Sequence, residues 1–451
     1  MKAKIPVLIT GDGFLSVAAL YSGFFLRFGT MEKAEALFGV TGHAVFVGVI
    51  LFSSFMAEGY NYEKSHGKKE VLLRILLSIV ISFFMLSALY YLIPSIILGR
   101  GILLLALFTF GVFQFVWHIG YDLALKHLGF VNRVLILGTG PLAKEIGRLI
   151  NSNNHEYVLS GYVNCELQPA LVPSLYIVGS SSELFETAKR EKAHKIVVSL
   201  SDRRGSLPLQ GMLECKFSGI EVVDAPTIYE RVTGKLLIEN ITPGWFIFSD
   251  GFRTSLLKSI FKRIFDVLFS TVGLVLALPF IPVLAVIIKL HSPGPVFFKQ
   301  VRVGEKEKKF VLYKFRTMRQ DAESKTGAVW AQKNDPRVTA LGKYLRKFRL
   351  DEIPQLYNVL KGDMSFIGPR PERPEFVEKL KEIIPYYSER HCLKPGVTGW
   401  AQIKYPYGAS VEDAAEKLRY DLYYIKHLSL PFDLLIMLET TKVILFGRGG
   451  Q

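Results

Sequence analysis

Apolar residues fill the first quarter of the chain in four long runs, with short polar stretches between them. Each run is close to the ~20 residues that a helix needs to cross a bilayer. The pattern predicts four transmembrane helices, at about residues 5–28, 37–56, 71–93 and 95–117. We therefore expect residues 1–125 to form a four-helix membrane domain.

Positive charge around these runs predicts their orientation. Lys2 and Lys4 precede the first run, the linker EGYNYEKSHGKKE after the second run is basic, and Lys126 and Arg133 follow the fourth. Cytoplasmic loops carry an excess of Lys and Arg. Both ends of the bundle are therefore predicted to face the cytoplasm, and the loop GTMEKAEA and the turn near Pro94 to lie outside.

From residue 126 to about 250, short apolar strands alternate with amphipathic helices, which predicts a Rossmann-like α/β domain. The turn between its first strand and helix contains Gly138 and Gly140, whose neighbouring backbone N–H groups could hold a pyrophosphate. These glycines are therefore candidates for nucleotide binding. However, Asn164 stands where an acidic residue often binds the ribose, and residues 131–245 lack Tyr-x-x-x-Lys. We expect a structural or regulatory domain rather than a redox catalyst.

A fifth apolar run, at residues 267–288, is interrupted by Pro279 and Pro282. Proline inside a helix removes a backbone hydrogen bond and bends the helix. Both flanks are basic, so a spanning helix would place one basic flank outside, against the usual bias. The pattern favours a re-entrant helix that breaks at the prolines and returns to the cytoplasmic face. The alternative is a kinked fifth span, which would put the rest of the chain outside.

The formal net charge of +15 is unevenly distributed. Residues 299–350 contain 15 Lys and Arg against 5 Asp and Glu, which accounts for +10 of the total. Such a block implies an anionic partner, such as nucleic acid, acidic lipid or a diphosphate, unless it is only a solvated surface. The three cysteines are scattered without a CxxC pair, which predicts reduced thiols and no zinc site.

An acidic pair, Asp351 and Glu352, follows this basic block. Pro354 suits the first turn of a helix that ends at Gly362, so Asp351 could be an ordinary N-cap. The helix start would also lower the pKa of Asp351. An ionised aspartate beside phosphate can be a nucleophile, and Mg²⁺ would be needed to screen the carboxylate from the diphosphate. Four cations are candidates to bind the phosphates: Lys314, Arg316, Arg346 and Arg370.

Several long motifs then occur in order: HSPGPVFFKQVRVG, YKFRTM, DPRVTALGKYLRKFRLDEIPQLYNVLKGDMSFIGPRP and LKPGVTGWAQI. Over about residues 258–447 they resemble the catalytic domain of bacterial polyprenyl-phosphate phosphoglycosyl transferases. The four helices and the Rossmann-like domain resemble the large members that initiate exopolysaccharide synthesis. The resemblance implies that residues 251–451 form a re-entrant membrane helix with a mainly α catalytic domain.

The resemblance also implies a reaction. A UDP-sugar would give its sugar 1-phosphate to undecaprenyl phosphate and release UMP, through a covalent phosphosugar on Asp351. Mg²⁺ would be held at the pair Asp351 and Glu352, and Glu352 would help to hold it or would orient the acceptor. Four further residues match family positions: Lys314, Arg346 and Arg370 near the phosphates, and the acidic Asp421. The enzyme would act on the cytoplasmic face of the bacterial inner membrane, as the first membrane step of exopolysaccharide or O-antigen-like synthesis. The resemblance to the large members implies a homodimer, although the sequence itself does not fix the oligomeric state, and we expect no nucleic acid partner.

The sequence departs from the family at two places. Leu278 stands where many members have Ser before the proline of the helix break. The segment IKYPYGAS after GWAQ lacks the family arginine, which bears on recognition of the donor. Two other functions are considered: a Rossmann-domain nucleotide-sugar oxidoreductase or dehydratase, and a nucleotide-sensing scaffold of polysaccharide assembly. Release of UMP from a UDP-sugar would separate the transferase from both.

Overall fold

The structure is a computed structural model. It describes residues 4–29, 32–60, 68–127, 132–152, 157–165, 170–200, 207–241, 243–252, 255–320, 322, 330, 335–405 and 408–445. The chain forms two compact units, Met1–Val223 and Asp224–Gln451. Residues 224–250, which the sequence pattern places with the Rossmann-like domain, fall in the second unit. The three-domain boundaries at residues 125 and 250 stay predictions.

Four apolar helices open the first unit, as predicted. They are α1 (Lys4–Phe28), α2 (Glu32–Met56), α3 (Lys68–Leu92) and α4 (Arg100–His127). Among the described residues, these four are long and apolar enough to cross a membrane, which indicates a membrane protein. Parts of two segments used to predict orientation, residues 30–31 and 61–67, lie outside the described residues.

The helix bundle has a polar cluster in its interior. Asp12 of α1 is fully buried. Its carboxylate accepts hydrogen bonds from the Tyr60 hydroxyl at 2.9 Å and from Gln114 Nε2 of α4 at 2.6 Å. His118 Nε2 of α4 lies 3.2 Å from the same carboxylate. Ionisable side chains inside membrane bundles are costly and need such partners. The Asp12 cluster therefore ties α1 to α4.

The rest of the first unit contains the predicted α/β domain. Its strands form one sheet in the order β3-β2-β1-β4-β5, with parallel pairing of β1 to β2 and β4, and of β2 to β3. This order is that of the first five strands of a Rossmann fold. The elements are β1 (Asn132–Leu137), α5 (Pro141–Asn151), β2 (Tyr157–Asn164), β3 (Ile177–Ser180), α6 (Leu184–Arg190), β4 (Lys195–Val198), α7 (Leu209–Phe217) and β5 (Glu221–Asp224).

The glycine-rich turn lies between β1 and α5, as predicted. Gly138 has a φ of 120°, a conformation that favours glycine, and Gly140 is the N-cap of α5. Pro141 occupies the first helical position and so removes one N–H from the helix start. Thr139 donates a hydrogen bond to Asn164 at 3.3 Å. Nucleotide binding at Gly138 and Gly140 stays a prediction.

The second unit begins with α8 (Ala225–Thr233) and α9 (Pro243–Phe248), and then has a bent helix pair. The pair is α10 (Leu256–Ala277) and α11 (Phe280–His291), which meet at an angle of 62°. The break lies at the predicted Pro279, the N-cap of α11. Pro282 lies in the first turn of α11, where a backbone N–H has no partner within the helix.

Both halves of the bent pair pack on the same globular region. In α10, the Arg263 guanidinium donates to the carbonyl oxygens of Val359 and Leu360, each at 2.7 Å. Near the end of α11, Ile288 is buried in a cluster with Phe315 and Leu345. The chain therefore leaves this region through α10 and comes back to it through α11.

The remaining faces of the bent pair are apolar and exposed. Large exposed side chains follow both helices: Leu256, Leu257, Ile260, Phe261, Ile264, Leu268, Val272, Val275, Leu276, Leu278, Phe280, Val283, Val286 and Leu290. A contiguous apolar surface of this kind marks contact with a membrane or with another protein.

The globular region is mainly helical. Its strands are short: an antiparallel hairpin of β6 (Phe297–Val303) and β7 (Lys309–Phe315), and a parallel pair of β8 (Ser365–Ile367) and β9 (Gly396–Thr398). Its helices are α12 (Ala340–Lys347), α13 (Gln355–Lys361), α14 (Pro374–Ile383), α15 (Trp400–Lys404), α16 (Val411–Lys426) and α17 (Leu430–Leu445). In α17, Asp433 and Ile436 are buried, which favours core packing for this helix.

The segment that follows β5 packs into the core of the second unit. Leu236 and Ile238 belong to one buried cluster with Trp400 and Leu418. The indole nitrogen of Trp400 donates to the carbonyl oxygen of Gly234 at 2.8 Å. We call residues 225–241 the α8 segment. It supports the helix α15, which begins at Trp400.

Candidate active site

The acidic pair lies in a tight turn before α13. Arg349 has a φ of 53°, and the residues Leu350–Glu352 form one 3₁₀ turn. Pro354, rather than Asp351, is the N-cap of α13, which has only seven residues. The helix ends at Gly362, with a φ of 94°, as predicted. An ordinary N-cap therefore does not explain Asp351.

A cavity of about 480 Å³ opens at this turn. Among the described residues that line it, eleven are Lys or Arg and four are carboxylates. The cavity wall includes all the catalytic and phosphate-binding candidates predicted from the sequence: Lys314, Arg316, Arg346, Asp351, Glu352, Arg370 and Asp421. The structure thus brings together residues that are up to 107 positions apart in the chain. Their individual roles stay predictions.

Glu352 is held by three cations. Its carboxylate lies 3.2 Å from Lys314 Nζ, 2.8 Å from Arg370 Nη2 and 3.3 Å from Arg349 Nη1. Burial would raise the pKa of Glu352, but these cations, Arg370 and Lys314 foremost, hold it well below its usual range. Glu352 is therefore ionised and anchors the cations at this side of the cavity.

Asp351 differs from its neighbour. Its side chain is only 6% exposed, and burial raises its pKa above the usual range. The Lys314 ammonium opposes this rise, whereas the adjacent Glu352 carboxylate adds to it. The expectation that a helix start lowers the pKa of Asp351 is wrong, because the helix begins only after Pro354 and burial dominates.

The other predicted cations occupy different positions around the cavity. Lys314 of β7 is opposite Phe298 of β6, and burial lowers its pKa. Arg346 of α12 donates through Nε to the Thr317 hydroxyl at 3.0 Å. Arg316 donates through both terminal nitrogens, to the carbonyl oxygens of Pro293 and Ser292 at 2.8 and 2.6 Å. Arg316 therefore holds the connection between α11 and β6. A direct phosphate contact of Arg316 stays a prediction.

Asp421 of α16 forms a buried ion pair with Arg390 at 2.8 Å. Arg390 also donates to the Arg370 carbonyl oxygen at 2.9 Å and to the Tyr387 hydroxyl at 2.7 Å. Burial raises the pKa of Asp421 to about 6, although the Arg390 charge opposes the rise. Asp421 thus orders the segment that carries Arg370, in addition to its place in the cavity wall.

Three contributors are absent from the sequence prediction: Arg349, Arg390 and Gln402. The Gln402 side-chain oxygen accepts hydrogen bonds from Arg349 Nη1 and Arg370 Nη1, each at 3.1 Å. Because both partners are donors, the orientation of the Gln402 amide is determined. Gln402 lies in the motif GVTGWAQ, where a polar residue beside a buried Trp is a usable signal. The left-handed backbone of Arg349 has no such signal.

The residues fit a magnesium ion only together with a phosphate. Within the described parts of the chain, no group of three or more His, Cys, Asp and Glu could hold a metal. Mg²⁺ often uses one or two carboxylates, waters and substrate phosphates. Glu352 is already in contact with three cations, so Asp351 is the carboxylate better placed to share such an ion.

Comparisons with known proteins agree with the motifs. The family described as "bacterial sugar transferase" matches residues 257–447. The chain is 42% identical to the UDP-N-acetylgalactosamine-undecaprenyl-phosphate N-acetylgalactosaminephosphotransferase of Aeromonas hydrophila. The alignment covers 240 residues, or 53% of this chain and 56% of that protein. It is 34% identical to the UDP-glucose:undecaprenyl-phosphate glucose-1-phosphate transferase of Escherichia coli (strain K12). That alignment covers 266 residues, or 58% of this chain and 57% of that protein.

A shorter relative is covered almost completely. The exopolysaccharide production protein PSS of Rhizobium leguminosarum bv. phaseoli is 41% identical over 186 residues, which is 40% of this chain and 93% of that protein. The chain belongs to the bacterial sugar transferase family, as its motifs predict. The matches to the Aeromonas and Escherichia proteins span just over half of their lengths.

Proposed function

We propose that this protein transfers a sugar 1-phosphate from a UDP-sugar to undecaprenyl phosphate. The observation that carries the proposal is the buried pair Asp351–Glu352 in a cavity lined by eleven Lys and Arg. Such a cavity suits the binding of a diphosphate by the cations, with a carboxylate beside it. The names of the relatives support a polyprenyl-phosphate acceptor and a nucleotide-sugar donor.

The proposed reaction has two displacements at one phosphorus atom. An oxygen of the Asp351 carboxylate attacks the sugar-linked phosphorus, the bond to the bridging oxygen of the diphosphate breaks, and UMP leaves. A phosphate oxygen of undecaprenyl phosphate then attacks the same phosphorus and releases the Asp351 carboxylate. The products are UMP and an undecaprenyl diphosphosugar. A carboxylate nucleophile of this kind divides a difficult transfer into two easier steps.

The surrounding residues bind and orient the phosphates. Lys314, Arg346 and Arg370 compensate the negative charge that gathers on the diphosphate. Glu352 holds Lys314 and Arg370 in place through ion pairs at 3.2 and 2.8 Å. Asp351, together with the phosphates of the donor, would hold Mg²⁺, and the ion would supply positive charge that stabilises the transferring group.

The bent pair α10–α11 is proposed to enter the membrane and return on the cytoplasmic side. Both helices contact the same globular region, and their other faces are apolar. An acceptor phosphate at the lipid surface could then reach the cavity directly. We propose that the protein lies in the bacterial inner membrane and carries out the first membrane step of exopolysaccharide or O-antigen-like synthesis.

The test is release of UMP by the full-length protein from a panel of UDP-sugars, with and without undecaprenyl phosphate and Mg²⁺. We expect release for at least one sugar, and a phosphosugar adduct on the peptide that contains Asp351 by mass spectrometry. Asp351→Asn should lose both the adduct and at least a thousandfold of the turnover, because the amide is a poor nucleophile. Normal turnover by this variant would exclude the covalent route.

A further inference from the structure

The cavity has a direction that follows the strand β6. Phe297, Phe298, Gln300 and Arg302 of this strand all line the cavity. At about 3.3 Å per residue, Phe297 and Arg302 are roughly 17 Å apart along the strand. This distance is long enough for the two ends of the cavity to bind different parts of a substrate.

The end at Phe297 is next to the bent helix pair. Its two phenylalanines, Phe297 and Phe298, are 44% and 39% exposed, and they follow α11 after only a short connection. Lys314 lies opposite Phe298 in the hairpin and contacts Glu352. This end therefore combines apolar surface with the acidic pair.

The end at Arg302 has a different chemistry. Arg302 Nη1 donates to the Pro371 carbonyl oxygen at 3.1 Å, and the Val303 backbone N–H donates to the Glu372 carbonyl oxygen at 2.9 Å. These bonds join the end of β6 to the segment that leads into α14. That segment carries Arg373 and Phe376, which also line the cavity.

An aromatic pair stands at this end. The rings of Trp330 and Phe376 are 5.0 Å apart, and both residues are partly buried in the cavity wall. The guanidinium of Arg373 lies over the Phe376 ring at 5.7 Å. Flat aromatic faces beside cations are the common means of binding a nucleobase that is joined to phosphate.

We propose that Trp330 and Phe376 form the subsite for the uracil base of the donor. This inference rests on the proposed function, since it names where the UDP-sugar binds. The diphosphate then extends from the base past Arg370 towards Asp351, because Arg370 is three residues before Arg373 and contacts Glu352. The end at Phe297 and Phe298 is left for the lipid acceptor.

The experiment uses the full-length protein and compares two inhibitors, UMP and inorganic pyrophosphate. Trp330→Leu and Phe376→Leu remove a flat ring but keep an apolar side chain. Each should raise the KM for the UDP-sugar and the inhibition constant of UMP by about tenfold. Neither should alter inhibition by pyrophosphate or the KM for undecaprenyl phosphate. Trp330→Phe, which keeps a ring, should recover most of the affinity.

Tyr357→Leu is the matched control. Tyr357 also forms a ring pair, with Tyr313 at 5.9 Å, but the pair is not part of the cavity wall. Its loss should leave inhibition by UMP unchanged. Phe298→Leu should change the KM for undecaprenyl phosphate and leave inhibition by UMP unchanged.

Two failures can be distinguished. If the wild-type protein releases UMP but Trp330→Leu and Phe376→Leu retain normal inhibition by UMP, the subsite is wrong and the transferase function stands. If the wild-type protein releases no UMP from any UDP-sugar, the transferase function is wrong. Direct binding of UMP, measured by calorimetry on the same variants, then decides whether the aromatic pair binds uridine nucleotides. Equal loss of UMP and pyrophosphate inhibition would indicate general damage to the cavity and overturn the proposal.

Discussion

Asp351 and Glu352 are adjacent in the chain but differ in their acidity. Glu352 faces Lys314, Arg349 and Arg370, and its pKa is held low. The pKa of Asp351 is raised by burial. A carboxylate with a raised pKa is a stronger base and a better nucleophile once it is ionised. This difference supports the proposed roles, in which Glu352 anchors the cations and Asp351 is the nucleophile.

With Asp351 as the proposed nucleophile, its raised pKa predicts a pH dependence of activity. We expect the UMP burst of the first displacement to fall as the pH decreases through the raised pKa of Asp351, above the ordinary value of ~3.9 for aspartate. Glu352 stays ionised over that range because its pKa is lowered. A rapid-quench profile of the burst against pH measures this. A burst that is constant down to pH 4 would contradict the assignment.

The same shift affects stability. Because the folded protein binds the Asp351 proton more tightly than the unfolded chain does, this group favours folding most below its ordinary pKa. That contribution is lost as the pH rises through the raised pKa. Asp351→Asn should therefore melt at the same or a higher temperature than the wild type at neutral pH. Glu352→Gln should melt lower, since it leaves three cations without their counter-charge.

At the level of residues, the motifs identified seven of the side chains that line the cavity. They could not give the acidity of Asp351, because burial depends on the folded surroundings of the 3₁₀ turn. They also missed Arg349, Arg390 and Gln402, whose roles depend on contacts with partners 3 to 53 residues away. Spacing in the sequence carries no information about such contacts.

At the level of elements, the α8 segment differs most from the sequence prediction. The alternation of strands and helices continues into it, so the pattern assigns it to the Rossmann-like domain. In the structure its residues pack with Trp400 and Leu418. The ion pairs Lys235–Glu416 and Arg419–Glu239 add to this contact. The pattern could not reveal this, because an amphipathic helix shows that it has a buried face but not what covers it.

Trp400→Phe tests whether the α8 segment positions the active site. The change keeps a ring but removes the hydrogen bond to Gly234, which should cost about 1–3 kcal/mol of stability. Because Gln402 lies two residues further along α15, we also expect kcat to fall with little change in the KM for the UDP-sugar. Denaturant unfolding and steady-state kinetics measure the two effects.

Glu239→Gln is the control for this prediction. It breaks an ion pair of the α8 segment whose carboxylate is exposed, so it should cost less than about 1 kcal/mol and leave kcat unchanged. If Trp400→Phe loses stability but keeps its kcat, the α8 segment supports the fold without positioning Gln402.

At the level of the whole molecule, the four helices and the α/β domain follow directly from the apolar pattern, since long apolar runs and alternating strands are strong signals. Orientation depends on loop charges and stays a prediction.

The predicted orientation can be tested with Ser95→Cys and Lys379→Cys, two exposed positions, in a variant whose native cysteines are replaced by serine. In intact cells without an outer membrane, an impermeant maleimide should label position 95 but not 379. Lysis should expose both. Labelling of position 379 before lysis would put the basic region outside.

The Asp12 cluster has a consequence for how the protein is made. Asp12 leaves the ribosome before its partners in α4, Gln114 and His118, which follow 102 and 106 residues later. At about 5–20 residues per second, the carboxylate waits roughly 5–20 seconds for them. Until then only the Tyr60 hydroxyl, 48 residues after Asp12, can pair with the carboxylate. An Asp in the middle of a membrane helix costs up to about 3.5 kcal/mol. The insertion of α1 is therefore fully stabilised only when α4 has been inserted. A chain truncated before α4 should be recognised by membrane quality control and degraded.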